Sequence, residues 1–217
     1  MPRIAEEFGV PYGTVQYALT LYLVAIASSQ LFIGPISDRF GRRPVMLGGM
    51  LLYLVATAIC ALSQNIETLI FGRMLQAVGG STGLVLGRAV VRDLYGRDRS
   101  ASMIGYVTTA MMVVPLVTPT IGGFLDQFYG WQASFIFAAI FGVVVLVFAW
   151  FAMHETKHDL VESLSLFGTF NGIGVIARYP AFWGYAMFAA MLSAMFFSFL
   201  AGAPYIMIEL MGRAPSE

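Results

Sequence analysis

Six runs of mainly apolar residues, 15–36, 45–63, 69–91, 101–125, 131–153 and 181–210, take up most of this 217-residue chain. Each is close to the roughly 20 residues that a helix needs to cross a bilayer. None shows the two-residue alternation of a membrane barrel strand, so the runs predict an all-α membrane protein, a bundle of about six transmembrane helices. Composition agrees: 59% of residues are hydrophobic, 11% are charged and the mean hydropathy is +0.78, against roughly 45–50% apolar in a soluble domain. The formal net charge is zero, which gives no basic surface for nucleic acid. Cys60 is the sole cysteine, so it has no disulfide partner within the chain and reads as a small packing residue.

The charges sit almost entirely in the gaps. Arg39, Arg42 and Arg43 fall between the first two runs, Arg92, Arg97 and Arg99 between the third and fourth, and Lys157 and Arg178 between the fifth and sixth. The alternate gaps carry no basic residue, so the positive-inside rule puts the three basic gaps in the cytoplasm and both ends of the chain outside. Translocating a charged leader with Arg3, Glu6 and Glu7 ahead of the first run is difficult. An upstream helix would remove the difficulty, and the leader itself lacks the apolar core of a signal peptide.

The gap around Ser37–Pro44 is too short to let its flanking helices separate. Gly34 and Gly41 permit a tight approach and unusual backbone angles, and Asp38 suits the positive end of a helix. On physics alone these residues either shape a functional turn or merely set topology. In the third run Arg73 lies several residues inside the bilayer, where a charge costs about 2.5 kcal/mol or more and turns toward protein or water unless it snorkels outward. Arg73, Gln76, Gly80, Gly83 and Gly87 share one helix face, and Gly79, Gly83 and Gly87 form a small-residue stripe that invites close helix packing. No carboxylate is placed within a run to pair with Arg73, since Glu67, Asp126 and Glu209 all fall near run ends.

Pro115 and Pro119, followed by Gly122 and Gly123, predict a bend and a close-packing surface in the fourth run. Gln16 and Gln30, with Tyr22 to one side, and Gln76 in the third run offer sparse polar contacts to an apolar substrate cavity or glue between helices. The last run adds Tyr205 and a group of phenylalanines beside a Pro204 kink.

Several of these stretches resemble the major facilitator superfamily. Gly34-x-x-x-Asp38-Arg39-x-Gly41-Arg42-Arg43 is similar to that family's signature loop between its second and third helices. Arg73 to Gly79, Thr118 to Gly123 and Gly130 to Phe135 follow in the family's order and spacing. Val15-Gln16, Tyr22, Gln30-Leu31, Gly34-Pro35 and Arg88 to Tyr95 resemble the Bcr/CflA branch of drug:proton antiporters. Ala77, Thr118 and Gln132 depart from the wider pattern, where glycine, glycine and arginine are common.

The resemblance implies a partial bundle covering family helices two to seven. Residues 1–153 would be part of the N-terminal half, 154–180 the cytoplasmic linker and 181–217 the first helix of the C-terminal half. It further implies that Asp38 joins Arg92 and Asp93 in a charge cluster that latches an inner gate, and that Pro115 to Gly123 form an antiporter motif. Arg73 would couple transport to protons carried by an acid on the missing first helix. The expected function is proton-coupled efflux of small drugs by alternating access, in the bacterial inner membrane, by a multi-pass protein that needs the other helices of its full-length form. Its partners would be a small-molecule substrate, protons and lipid, with no cofactor. A metabolite transporter of the same fold and a non-transporting fragment are the alternatives.

One motif points elsewhere. His154-Glu155-Thr156-Lys157-His158 has the H-E-x-x-H spacing that lets two histidines on one helix face hold zinc beside a glutamate base. An intramembrane protease would also need a third ligand, and the chain has no other histidine. The expectation is therefore no metal and no catalysis.

Overall fold

A computed structural model describes residues 2–157, 159–160 and 174–205. The chain divides into two compact units, Met1–Leu164 and Ser165–Glu217. The first unit holds a short helix α1 (Pro2–Phe8), then α2 (Tyr12–Phe40), α3 (Arg42–Ala61), α4 (Ile66–Tyr129) and α5 (Gln132–Ala152). The second holds α6 (Pro180–Tyr205), whose predicted continuation to residue 210 lies outside the described residues.

Among the described residues, five apolar stretches are long enough to cross a membrane: Gly13–Phe40, Arg42–Ala61, Ile66–Gly96, Arg99–Tyr129 and Gln132–Ala152. They coincide with the first five predicted runs. The third and fourth belong to α4, which is broken into two arms at Gly96 (φ 65°, ψ −172°), its one point of non-helical backbone. The backbone stays helical through Pro115 and Pro119, so the break sits in the basic gap and not at the prolines. Proline removes a hydrogen bond at a position where the ring still accepts helical angles, whereas the left-handed angle at Gly96 is one that a β-carbon opposes.

The first arm of α4 has the most buried span of the five, and it packs against both α2 and α3, while α5 packs on α3. Apolar side chains gain nothing by leaving lipid for one another, so contact between such helices depends on small residues and hydrogen bonds. Gly49 and Gly79 provide the first. A Cβ on Gly79 would lie 2.5 Å from the Tyr53 backbone nitrogen and 2.6 Å from the Gly49 carbonyl oxygen, and a Cβ on Gly49 would run into Thr82. Gly83 and Gly87 face open space, so the predicted stripe is in use at its Gly79 end only. The hydrogen bonds come from Ser29 on α2, 2.7 Å from Ser81 on α4, and from Gln76 on α4, whose amide donates to Thr57 on α3 at 2.8 Å.

Two apolar clusters lie at opposite ends of this unit. One joins Ile4, Val15, Cys60, Leu69 and Trp131; the other joins Ile33, Met46 and Leu86. Outward faces are apolar as well, with Phe148 and Phe151 72% and 78% exposed, as expected of surfaces that meet lipid.

Candidate functional site

At one end, α2 and α3 are joined by a single residue. Gly41 adopts φ 94°, ψ 156° and donates its N–H to the Ser37 carbonyl. The turn is thus far tighter than the predicted loop, and α2 continues helically through Pro35 to Phe40. A Cβ on Gly41 would lie 2.5 Å from Glu155 Oε2. The other glycine of the motif, Gly34, has open space where its Cβ would be; its carbonyl accepts the Ser37 hydroxyl at 2.8 Å. The close approach expected of both glycines occurs at Gly41 alone.

Arg42 is the hub of this turn and is only 3% exposed. Its Nη2 lies 2.8 Å from Asp38, its Nε donates to Asp93 Oδ2 at 3.0 Å and its Nη1 donates to Ser37. A planar guanidinium spreads five donors over three nitrogens in a rigid fork, so it reaches well-separated acceptors that the compact ammonium of a lysine, with its donors on one nitrogen, would not span. One side chain therefore ties α2, α3 and the first arm of α4 together beside the Gly96 break. Lys157 stands 3.9 Å from Asp38 as a weaker second cation. Arg39 lies exposed over the Phe40 ring, and Arg92 is exposed and forms no ion pair among the described residues. The predicted cluster of Asp38, Arg92 and Asp93 thus includes Asp93 but not Arg92: one residue along the helix turns the side chain by about 100°.

Glu155 completes the turn, a role its place in the histidine motif does not suggest. Its carboxylate accepts the backbone N–H groups of Arg42 (2.8 Å) and Arg43 (3.1 Å), the open donors at the start of α3, and those of Thr156 and Lys157 at 3.0 Å each. Burial by itself would raise the pKa of Glu155, but the backbone donors of Lys157, Arg42, Arg43 and Thr156 outweigh it and hold the carboxyl below its ordinary value. Arg43 reinforces the junction by donating to the Trp150 carbonyl at 2.9 Å and stacking over the Trp150 ring. The zinc motif loses its helix, since α5 ends at Ala152; His158 lies outside the described residues, and no metal-binding cluster occurs among those described.

The opposite end opens into a cavity of about 430 Å³. Arg73, two turns into α4, projects to its wall with its guanidinium carbon 4.0 Å from the centroid of Tyr22 and 5.9 Å from that of Phe135. Its Nη1 donates to Gln76 Oε1 at 2.6 Å, Gln76 donates to Thr57 and Thr57 donates to the Tyr53 carbonyl at 2.6 Å. Gly122, Gly123 and Asp126 from the second arm of α4 complete the wall. Position in the sequence had set Asp126 aside as a span-end residue, but Arg73 lies near the same end of the bundle, so the two share one chamber. The chamber is floored by Trp131, whose Nε1 donates to Glu7 at 2.6 Å while Gln132 donates to the same carboxylate at 3.2 Å. Glu7 thereby fastens α1 across the start of α5, a contact between residues more than a hundred positions apart that no local pattern announces.

Of the other residues predicted for a cavity, Gln76 and Tyr22 line this one, whereas Gln16 and Gln30 are exposed and do not. The buried stripe of α2 runs Val15, Ala18, Ala25, Ser29, Ile33, and both glutamines fall about 100° or more to its side at 100° per residue. Pro115 lines neither this cavity nor a second, apolar one of about 650 Å³ bordered by Thr118 and Gly122. Gly122 has open space where its Cβ would be, so it makes no close helix contact at that point. The side chain of Tyr205 lies outside the described residues.

The Major Facilitator Superfamily model matches residues 1–214. The chain belongs to the major facilitator superfamily. Among curated relatives, it is 36% identical to a chloramphenicol resistance protein of Pseudomonas aeruginosa over 98% of the chain and 50% of that protein. It is 36% identical to multidrug resistance protein D of Escherichia coli strain K12, over 71% of the chain and 39% of that protein. It is 26% identical to multidrug resistance protein MdtL of Shigella dysenteriae, over all of the chain and 55% of the relative. A crystal structure of a peptide transporter POT (E310Q mutant) with sulfate shares the fold, with TM-score 0.61 and 19% identity over 87% of this chain and 39% of that one. This superfamily member thus spans about half the length of the relatives it matches, and its apolar helices make it a multi-pass membrane protein.

Proposed function

We propose that this chain is part of a proton-coupled exporter of small drugs, of the Bcr/CflA branch, working by alternating access in a bacterial inner membrane. One observation carries the reading: the bundle is tied shut around Arg42 at one end and opens at the other into a chamber that holds Arg73. A transporter halted on one side of its cycle has that asymmetry. The names of the relatives in Pseudomonas and Escherichia support drug efflux in bacteria, and the half-length match supports the need for further helices of the same transporter.

In this reading Arg42, Asp38 and Asp93, with Gly34, Arg39, Gly41, Arg43 and Arg92 around them, form the gate on the cytoplasmic side. Arg73 couples the cycle to protons by holding a carboxylate's charge and releasing it on protonation. Pro115, Pro119, Gly122 and Gly123 let the second arm of α4 move as the halves rock. Residues 1–153 form part of the N-terminal half, 154–180 the linker and 181–217 the start of the second half. Each inward charge supplies about 2.3 kcal/mol per 100 mV, enough to bias the cycle when proton and drug bind exclusive states.

The test is efflux of a fluorescent cationic drug from cells that express this chain, and from cells that express it extended by its flanking coding sequence. Efflux from the extended form that stops when the proton gradient is collapsed is the expected result. Efflux that survives collapse would reject proton coupling, and none from either form would favour a metabolite substrate or a fragment that does not transport.

A further inference from the structure

The aromatic wall of the Arg73 chamber already has a cation on it. Guanidinium groups and organic cations are held by the same physics: a ring face within about 6 Å attracts positive charge, more strongly where water is excluded. Arg73 meets that condition over Tyr22 at 4.0 Å and over Phe135 at 5.9 Å. Across the chamber, Asp126 adds an acid whose Oδ1 is shielded from solvent. Aromatic faces, one acid and about 430 Å³ are within the range of a small-molecule site. The space beside Gly122 is open.

Apart from the two ring faces, Arg73 is held by its bond to a neighbouring side chain. Among the described residues its guanidinium is held by one hydrogen bond, to Gln76. Gln76 is itself fixed by its bond to Thr57, so Gln76 would keep a partner if the arginine swung away. Two cations cannot share one ring face at contact distance without strong repulsion.

We propose that Arg73 is a tethered occupant of its own chamber, which a delocalised organic cation must displace from Tyr22, and that Asp126 is the counter-charge that selects such a cation over a neutral molecule of like shape. The inference rests on the reading of this chamber as the transport site, but its test needs binding alone.

The test is equilibrium binding of radiolabelled tetraphenylphosphonium, with triphenylphosphine oxide as the neutral comparison, to the purified chain in lipid nanodiscs. Removing the resident charge with Arg73→Gln is expected to tighten tetraphenylphosphonium about tenfold, from a freed ring face and one relieved like-charge contact. Binding of the neutral compound stays unchanged. Arg73→Lys keeps the charge and the weak binding, and Asp126→Asn and Tyr22→Leu weaken the cation selectively. Arg73→Met, of similar length, serves if the glutamine variant does not fold. Equal tightening of both compounds would mean that only volume was gained, and weaker or absent cation binding in the Arg73 variants would mean that arginine supports the site; either overturns the inference. Efflux by the extended protein without tightening would leave the transport reading standing alone, and tightening without efflux would do the reverse.

Discussion

Glu155 Oε2 fills the space that a Cβ on Gly41 would take, at 2.5 Å. The end of α5 is therefore built into the turn between α2 and α3, more than a hundred residues away in sequence. Gly41 also holds an angle pair, φ 94° and ψ 156°, that is nearly confined to glycine. Gly41→Ala is expected to destabilise the chain by about 1–3 kcal/mol through backbone strain, with loss of the Glu155 contact added. Cys60 is fully buried and is the sole cysteine, so a thiol-reactive fluorogenic dye reports unfolding directly. An unchanged melting temperature would mean that the turn can relax.

The same carboxylate sets a pH dependence. Folding lowers the pKa of Glu155 below its ordinary 4.5, so its contribution to stability is complete above about that pH and is lost as pH falls through the folded value. Glu155→Gln should melt below the wild type at pH 7, and the gap should close as pH drops below 4.5. A gap that is constant with pH would show that the capping bonds do not depend on charge.

Arg42 holds two carboxylates while nearly buried. Breaking a fully buried pair costs about 3–5 kcal/mol, but Asp38 keeps 39% exposure, so about 2–3 kcal/mol is expected for Arg42→Ala. Arg39→Ala, at an exposed position, should fall within about 0.5 kcal/mol of wild type. Equal effects in dye-monitored melts would count against the hub.

Gly79 and Gly83 give a paired test of the α3–α4 contact. Gly79→Ala pushes a Cβ into the Tyr53 and Gly49 backbones, which cannot yield as a side chain tip can, and should cost about 1–3 kcal/mol. Gly83→Ala meets open space and should be neutral or stabilising by up to about 1 kcal/mol from helix propensity. The order of the two melting temperatures decides the matter.

For the proposed function, Arg73→Ala in the extended protein should abolish proton-coupled efflux without preventing insertion, measured as drug efflux beside membrane-fraction yield. Retained coupling would remove Arg73 from that role, whatever its effect on cation binding.

The sequence by itself determined that this chain is a bundle of membrane helices, where most of those helices lie, and to which family it belongs. Those properties rest on local quantities: run length and hydropathy set the spans, and the spacing of Gly41, Asp38, Arg42 and Arg73 carries the family motifs. It also singled out Arg73 and the basic turn, because a charge beside or inside lipid is conspicuous wherever it falls. Only the tertiary structure decided what those charges meet. Depth in the bundle, not distance along the chain, brings Asp126 into the chamber of Arg73, and helix phase turns Asp93 toward Arg42 while Arg92 points away. Helix phase also leaves Gln16 and Gln30 off the buried face of α2. The roles of Glu155 and Glu7 are not legible in the sequence because each acts on a partner more than a hundred residues distant, where neither periodicity nor spacing carries information, and only packing of one helix end against another makes the contact.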